Sequence, residues 1–135
     1  MIKTISKYIS CFEENSSKLE KYAPSVLRIG MSLVILWFSS QQFLDAESWT
    51  IFVPERIVSL SGISALNLVY FNALFELVFG ALLILGIQTR ISALLLSLHL
   101  FQISFIVGYS STGVRDFGLA LATFVVFMNG KSRDM

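Results

Sequence analysis

The chain is poor in nearly everything that soluble catalytic chemistry uses. Of its 135 residues, one is cysteine, one is histidine, two are proline, and only 14% are charged. A lone cysteine, Cys11, closes no internal disulfide and builds no multi-cysteine metal site. Disulfide scaffolds, zinc ribbons and CxxC redox chemistry within the chain are excluded together. A lone histidine, His99, provides neither bis-His haem ligation nor a His-rich metal site, so we expect no bound metal and no covalently held cofactor. The formal net charge of +1, with no basic stripe interleaved with aromatics, gives no reason to expect nucleic acid as a partner. A phosphate loop, a GxGxxG turn and a Ser-His-Asp set are also missing. An enzyme acting alone is hard to build from these residues.

What the chain has in abundance is apolar surface. Hydrophobic residues make up 55% of it, and the mean hydropathy is +0.73. A soluble domain of this length would cover one core with many more charges, so the composition points to an integral membrane protein embedded in the lipid bilayer. Four apolar stretches follow one another: Pro24 to Leu44, Ala65 to Leu85, Ile91 to Tyr109 and Val114 to Met128. Pro24 is placed to start a helix, and Gly86 and Asn129-Gly130 are placed to stop one. A bilayer core needs roughly 20 residues of helix, so four spans use most of the chain. The predicted fold is therefore all-α, a transmembrane four-helix bundle over residues 24–128. The connection Ile87 to Arg90 is short enough to force an antiparallel hairpin between spans two and three.

Residues 1–23 read as a cytoplasmic tail. Ile2, Ile5, Ile9 and Phe12 recur at helical spacing with Lys3 and Lys7 beside them, which predicts a short amphipathic helix on the membrane surface. A cleaved signal peptide fits poorly, because the apolar run starts late, is long, and is preceded by Glu13, Glu14 and Glu20. The tail is expected to stay attached. The first loop, Asp45 to Ser64, is broken at Pro54 and carries Trp49, Phe52, Ile57, Val58 and Leu60, so it reads as interfacial or re-entrant. The favoured reading is a lipid-skimming loop anchored by Trp49; a lid over a cavity is the alternative. Lys3, Lys7, Lys18, Lys21, Arg28, Arg90, Lys131 and Arg133 fall on one side of the bundle, against Arg56 and Arg115 on the other. That asymmetry puts both termini, including a tail over 129–135, in the cytoplasm.

Each span also carries polar residues at helical spacing. Arg28, Ser32, Ser39 and Gln42 share a face of the first; Asn72, Glu76 and Gly80 step along the second; Ser92, His99 and Gln102 mark the third; Arg115-Asp116 and Thr123 mark the fourth. Hydrocarbon offers these groups no hydrogen bonds, so the stripes must turn inward. Glu76 is the most telling, because a carboxylate at membrane depth is costly to keep. It lies near mid-span, as does His99, and the hairpin lets the two meet. Arg28 starts about 10 Å nearer the cytoplasm, at roughly 1.5 Å per residue, within reach of Glu76. The candidate polar site is therefore Glu76, His99, Arg28, Asn72 and Gln102, with Arg90, Arg115 and Asp116 secondary. A buried structural ion pair is the competing account of Glu76, a satisfied interior imidazole that of His99, and an interface marker that of Arg115-Asp116.

The pattern resembles the DoxX family of small bacterial and archaeal membrane proteins. The residues that carry the resemblance are Leu27-Arg28-Ile29-Gly30, Trp49 with Val53-Pro54, and the block FELVFGALLILGIQTRISALLL with Glu76, Gly80, Gly86, Thr89 and Arg90. VRDFGLALA, with Arg115, Asp116 and Gly118, completes it, so that the likeness runs from about Ala23 to Met128. The chain departs near the end of span one. It has Ser39, Ser40, Gln41 and Gln42 where the family often has a glycine and a lysine, so no role of that lysine is carried over. The resemblance implies a multi-pass protein of the inner membrane, in some relatives a membrane subunit of a quinone-linked sulfur oxidoreductase. On that reading Glu76 accepts or relays a proton, His99 hydrogen-bonds a quinone oxygen, and Arg28 holds negative charge, with a redox protein as partner. The alternative is a structural or carrier-like protein without a redox role. It would be a homodimer packed through small residues such as Ala93/Ser97, Ser104/Gly108 or Gly118/Ala122. The topology is testable at once: reporters fused at Met135 and near Glu47 should report opposite compartments, and the same compartment for both would sink the four-span arrangement.

Overall fold

The computed structural model describes residues 1–130, and the predicted tail beyond Gly130, with Lys131 and Arg133, lies outside them. Helix α1 spans Ile2–Ser17 and α2 spans Ala23–Leu44, joined by a 3-10 turn at Glu20–Tyr22. The first loop contains two short helices, α3 (Ala46–Trp49) and α4 (Glu55–Ser61), around a 3-10 turn at Thr50–Phe52. Helices α5 (Ala65–Leu85), α6 (Thr89–Val107) and α7 (Ser111–Asn129) complete the chain, with no strand among the described residues. Four helical segments are long and apolar enough to cross a membrane. The protein is an all-α, multi-pass membrane bundle.

Neighbouring helices run antiparallel. Helix α2 lies along α5 and α6 along α7, while α5 against α6 and α2 against α7 close the ring. The register is visible in single contacts: Arg28 reaches Leu83 and Ile84, Ser39 donates to the Ala73 carbonyl at 2.8 Å, and Ser104 donates to the Gly113 carbonyl at 2.8 Å. The core is assembled from Met31, Ile35, Leu83, Leu96, Leu100 and Val126 with small residues between them. Outward-facing Leu, Ile, Val and Phe side chains stay exposed, as a lipid-facing surface requires.

The helix ends follow local chemistry. Ser64 and Ser110 cap α5 and α7 by accepting from the backbone N–H groups of Asn67 and Gly113. Gly86 adopts φ 75°, which closes α5 in the left-handed conformation a glycine allows. Span four therefore begins at Ser111 and not at Val114. The polar Ser110-Ser111-Thr112 run is a helix start, which a count of apolar residues alone passes over. Span three is shifted in the same way, to Thr89–Val107, because Gly108 at φ 82° ends it before Tyr109.

Two predicted features take a definite place. No side chain of α1 is buried, and Ile2, Ile5, Ile9 and Phe12 are all exposed. The small pair Ala93/Ser97 is buried inside the bundle, whereas Gly118 has open space around it. Gly113 is the opposite case: a Cβ there would sit 2.0 Å from the Gly108 carbonyl oxygen. Gly113→Ala should therefore destabilise the α6–α7 corner by at least the ~1–3 kcal/mol typical of overpacking, while Gly118→Ala should be neutral. Thermal unfolding of the two variants in detergent separates them, and equal melting temperatures would contradict the packing described.

Candidate functional site

The half of the bundle that carries the first loop, its outer half relative to the Gly86 hairpin, contains a half-open cavity of about 260 Å³. All four spans contribute to its wall, and the first loop covers its outer end with Trp49, Phe52, Val53, Pro54 and Ile57. The Trp49 ring meets Phe38 edge-on at 5.9 Å and Phe52 at 5.7 Å, so aromatic packing ties the loop to α2. Arg56 adds a tether, donating to the Ile106 carbonyl at 3.4 Å. The loop thus lines the cavity, as the alternative expects, while its Ile51 and Leu60 stay exposed, as a lipid-skimming loop requires. Pro54, which has no N–H to donate, starts α4 at the turn that folds it back.

A hydrogen-bonded polar cluster stands on this mostly apolar wall. Glu76 is 4% exposed and sits about 16 Å from the outer end of α5, at 1.5 Å per residue. Its two oxygens are held separately. Gln42 Nε2 donates to Oε2 at 2.8 Å, and Asn72 Nδ2 donates to Oε1 at 3.2 Å. Asn72 Nδ2 also donates to Gln42 Oε1 at 2.5 Å, which closes a ring of three side chains from α2 and α5. The i, i+4 spacing of Asn72 and Glu76 puts them on one face of α5. The same stripe logic turns Ser39 and Gln42 of α2 toward that face.

His99 joins from α6 without reaching the cavity. Its Nε2 meets Asn72 Oδ1, and since an amide oxygen only accepts, the ring must donate from that nitrogen. The imidazole stacks on Phe75 with centroids 4.5 Å apart, and Nε2 lies 3.9 Å from Glu76 Oε1. It therefore stands behind Asn72, fixing the amide's orientation as a supporting group and not as a ligand contact.

The remaining predicted residues divide. Arg28 does not reach Glu76: it donates to the carbonyls of Leu83 at 2.6 Å and Ile84 at 2.8 Å, in the last turn of α5. The Leu83 carbonyl also accepts from the Gly86 N–H at 3.2 Å, and a cation suits the negative end of the helix dipole. Arg90 does the same for α7, donating to the Gly130 carbonyl at 2.7 Å. Both belong to the inner end and outside the site. Gln102 lines the cavity but is exposed and makes no hydrogen bond among the described residues. Arg115 and Asp116 also line it, paired at 2.9 Å, with the guanidinium 4.7 Å over the Phe38 ring. Because α7 starts early, this pair is drawn into the cavity wall and does more than mark the interface.

Gln42 is the residue sequence reasoning left out of the site. It was visible on the polar stripe of span one, yet a neutral amide gives a weaker signal than an arginine. At 3% exposure it makes the bond that crosses from α2 to Glu76. Among the described residues, no Lys or Arg pairs with Glu76 and no group of three or more His, Cys, Asp or Glu side chains could hold a metal ion.

The cluster predicts a pattern of energetic coupling. Gln42→Ala and Glu76→Gln should couple in a double-mutant cycle by about 0.5–3 kcal/mol, the range for residues sharing a hydrogen-bond network. Arg28→Gln and Glu76→Gln should be additive within about 0.5 kcal/mol. Unfolding in detergent measures both, and coupling to Arg28 instead of Gln42 would refute the geometry.

Comparison with family models adds one finding: a model described as DoxX matches residues 23–109. The match covers α2 through α6, with Gln42, Asn72, Glu76 and His99 inside it. No curated protein matches the chain, and no solved structure matches it.

Proposed function

The chain belongs to the DoxX family, and from that premise we propose that it serves as the membrane subunit or anchor of a quinone-linked redox system. The cavity would hold a quinone or another small lipophile. The observation that carries the reading is a hydrogen-bonded polar cluster around Glu76 on a mostly apolar cavity wall at membrane depth. Ligand sites have this make-up: mostly apolar lining, with a few placed polar groups that fix orientation. At about 260 Å³ the cavity falls just below the ~300–1,000 Å³ usual for drug-sized ligands. It suits one ring-sized headgroup, with any hydrocarbon tail left in the bilayer. Glu76 is the proton-accepting or relaying group in this proposal. Gln42 and Asn72 position it, and His99 holds Asn72.

The proposal includes placement. Both termini face the cytoplasm of a bacterial inner membrane, supported by the basic residues at that end of the bundle. Helix α1 lies on the cytoplasmic leaflet with Ile2, Ile5, Ile9 and Phe12 towards the acyl chains, since its apolar face is left uncovered by the bundle.

Purification in mild detergent should recover quinone in extracts of the protein and a redox protein on crosslinking. Glu76→Gln should leave membrane abundance intact and abolish the associated activity or host phenotype. Full function with Gln at position 76 would remove the proton-handling role, and absence of both quinone and partner would remove the redox assignment.

A further inference from the structure

The hydrogen-bond polarity of the cavity narrows what it can take. We infer that its ligand presents hydroxyl donors, as a phenol or a quinol does, in preference to carbonyl acceptors alone. The inference rests on the ligand-binding reading above and specifies the chemistry of the occupant.

Around Glu76 the N–H groups are already spent. Asn72 Nδ2 has two hydrogens and gives them to Gln42 Oε1 and Glu76 Oε1. Gln42 Nε2 has two and gives them to Glu76 Oε2 at 2.8 Å and to the Phe38 carbonyl at 3.3 Å. Asn72 Oδ1 is taken by the His99 ring. What this part of the wall still offers is oxygen lone pairs, since each Glu76 oxygen accepts one N–H and has capacity for another. Every contact to Glu76 comes from a donor, so the chain supplies no acceptor for a proton placed on it. A hydroxyl arriving from the cavity completes the set. A carbonyl oxygen there would face carboxylate oxygens with nothing between them.

The second polar group on the wall has the same sign. Asp116 is 6% exposed, and its Oδ1 takes both Arg115 Nε at 3.0 Å and Nη2 at 2.9 Å. Asp116 Oδ2 has no hydrogen bond among the described residues. That open acceptor, on a cavity also lined by Ile35, Leu100 and Leu119, can take a donor from the occupant. The donors left over on the wall belong to Gln102, Arg115, Trp49 and Thr112, and none of them bonds to Glu76. Glu76 and Asp116 give an occupant with hydroxyl donors two acceptor groups on one cavity wall.

The test uses the full chain in lipid nanodiscs with Trp37→Phe, which leaves Trp49 on the cavity wall as the single tryptophan reporter. Three probes are titrated, with saturable quenching of Trp49 as the readout: tetramethylbenzoquinol kept reduced, tetramethylbenzoquinone, and tetramethylphenol. The quinol should bind at least ~10-fold tighter than the quinone, equivalent to about 1.4 kcal/mol. Glu76→Gln should collapse or invert that ratio, because a carboxamide brings its own N–H donors; the wild-type ratio decides the matter even if this variant fails to fold. Quinone binding as tight as quinol overturns the donor preference and leaves the quinone-linked reading standing. Phenol binding without quinol or quinone upholds the donor preference and overturns that reading. Saturation by none of the three overturns both.

Discussion

A carboxylate inside hydrocarbon has to find its hydrogen bonds within the protein, and the outer half of this bundle is arranged around that requirement. Glu76 obtains one N–H from Gln42 across the α2–α5 interface and one from Asn72 a turn away on its own helix. Asn72 in turn is held by His99 from α6. Three of the four spans therefore meet at one side chain. Removing any member leaves a buried polar group unsatisfied, which costs about 1–3 kcal/mol, so the cluster specifies helix register as well as chemistry. The inner half answers the same constraint with different groups. There Arg28 and Arg90 donate to carbonyls at the C-terminal ends of α5 and α7.

This division of labour explains why the intramembrane polar residues do not form one site. An arginine near a helix C-terminus is stabilised by carbonyl oxygens and by the dipole without a carboxylate partner. Glu76 is consequently left without a guanidinium and is stabilised by neutral amides. Amides orient a carboxylate without supplying a countercharge. Arg115 and Asp116 form the only Arg–carboxylate pair among the described residues, and they face the same cavity from α7.

The cover over the cavity depends on the connection between α2 and α5. Antiparallel neighbours joined by twenty residues, 45–64, have chain to spare at the outer end. Pro54 and the left-handed Gly62 fold that chain into α3 and α4 in place of an extended excursion. Trp49 then packs on Phe38, which itself carries Arg115 on its ring. Loop, first span and fourth span are thus in mechanical contact beside the cavity.

The sequence by itself determined the class of the protein, the number of spans, the antiparallel order of the bundle and the position of Glu76 as its anomalous group. These follow from hydropathy, from short connections and from the cost of a charge in lipid, all of which are local or additive properties of the chain. It also placed Asn72 and His99, because i, i+4 spacing and a short hairpin leave little choice. Only the tertiary structure decided which polar residues meet. Arg28 and Gln42 lie on the same stripe of α2, and nothing local says that the arginine turns to the inner end of α5 while the amide reaches Glu76. That choice is set by the axial offset of α2 against α5, which comes from side-chain interdigitation such as Ile35 and Leu36 against Gly80. The fate of the Asp45–Ser64 loop was decided in the same way. An apolar segment beside a bilayer has two apolar places to go, and only the assembled helices show that Trp49 and Ile57 turn to the cavity while Ile51 and Leu60 stay exposed.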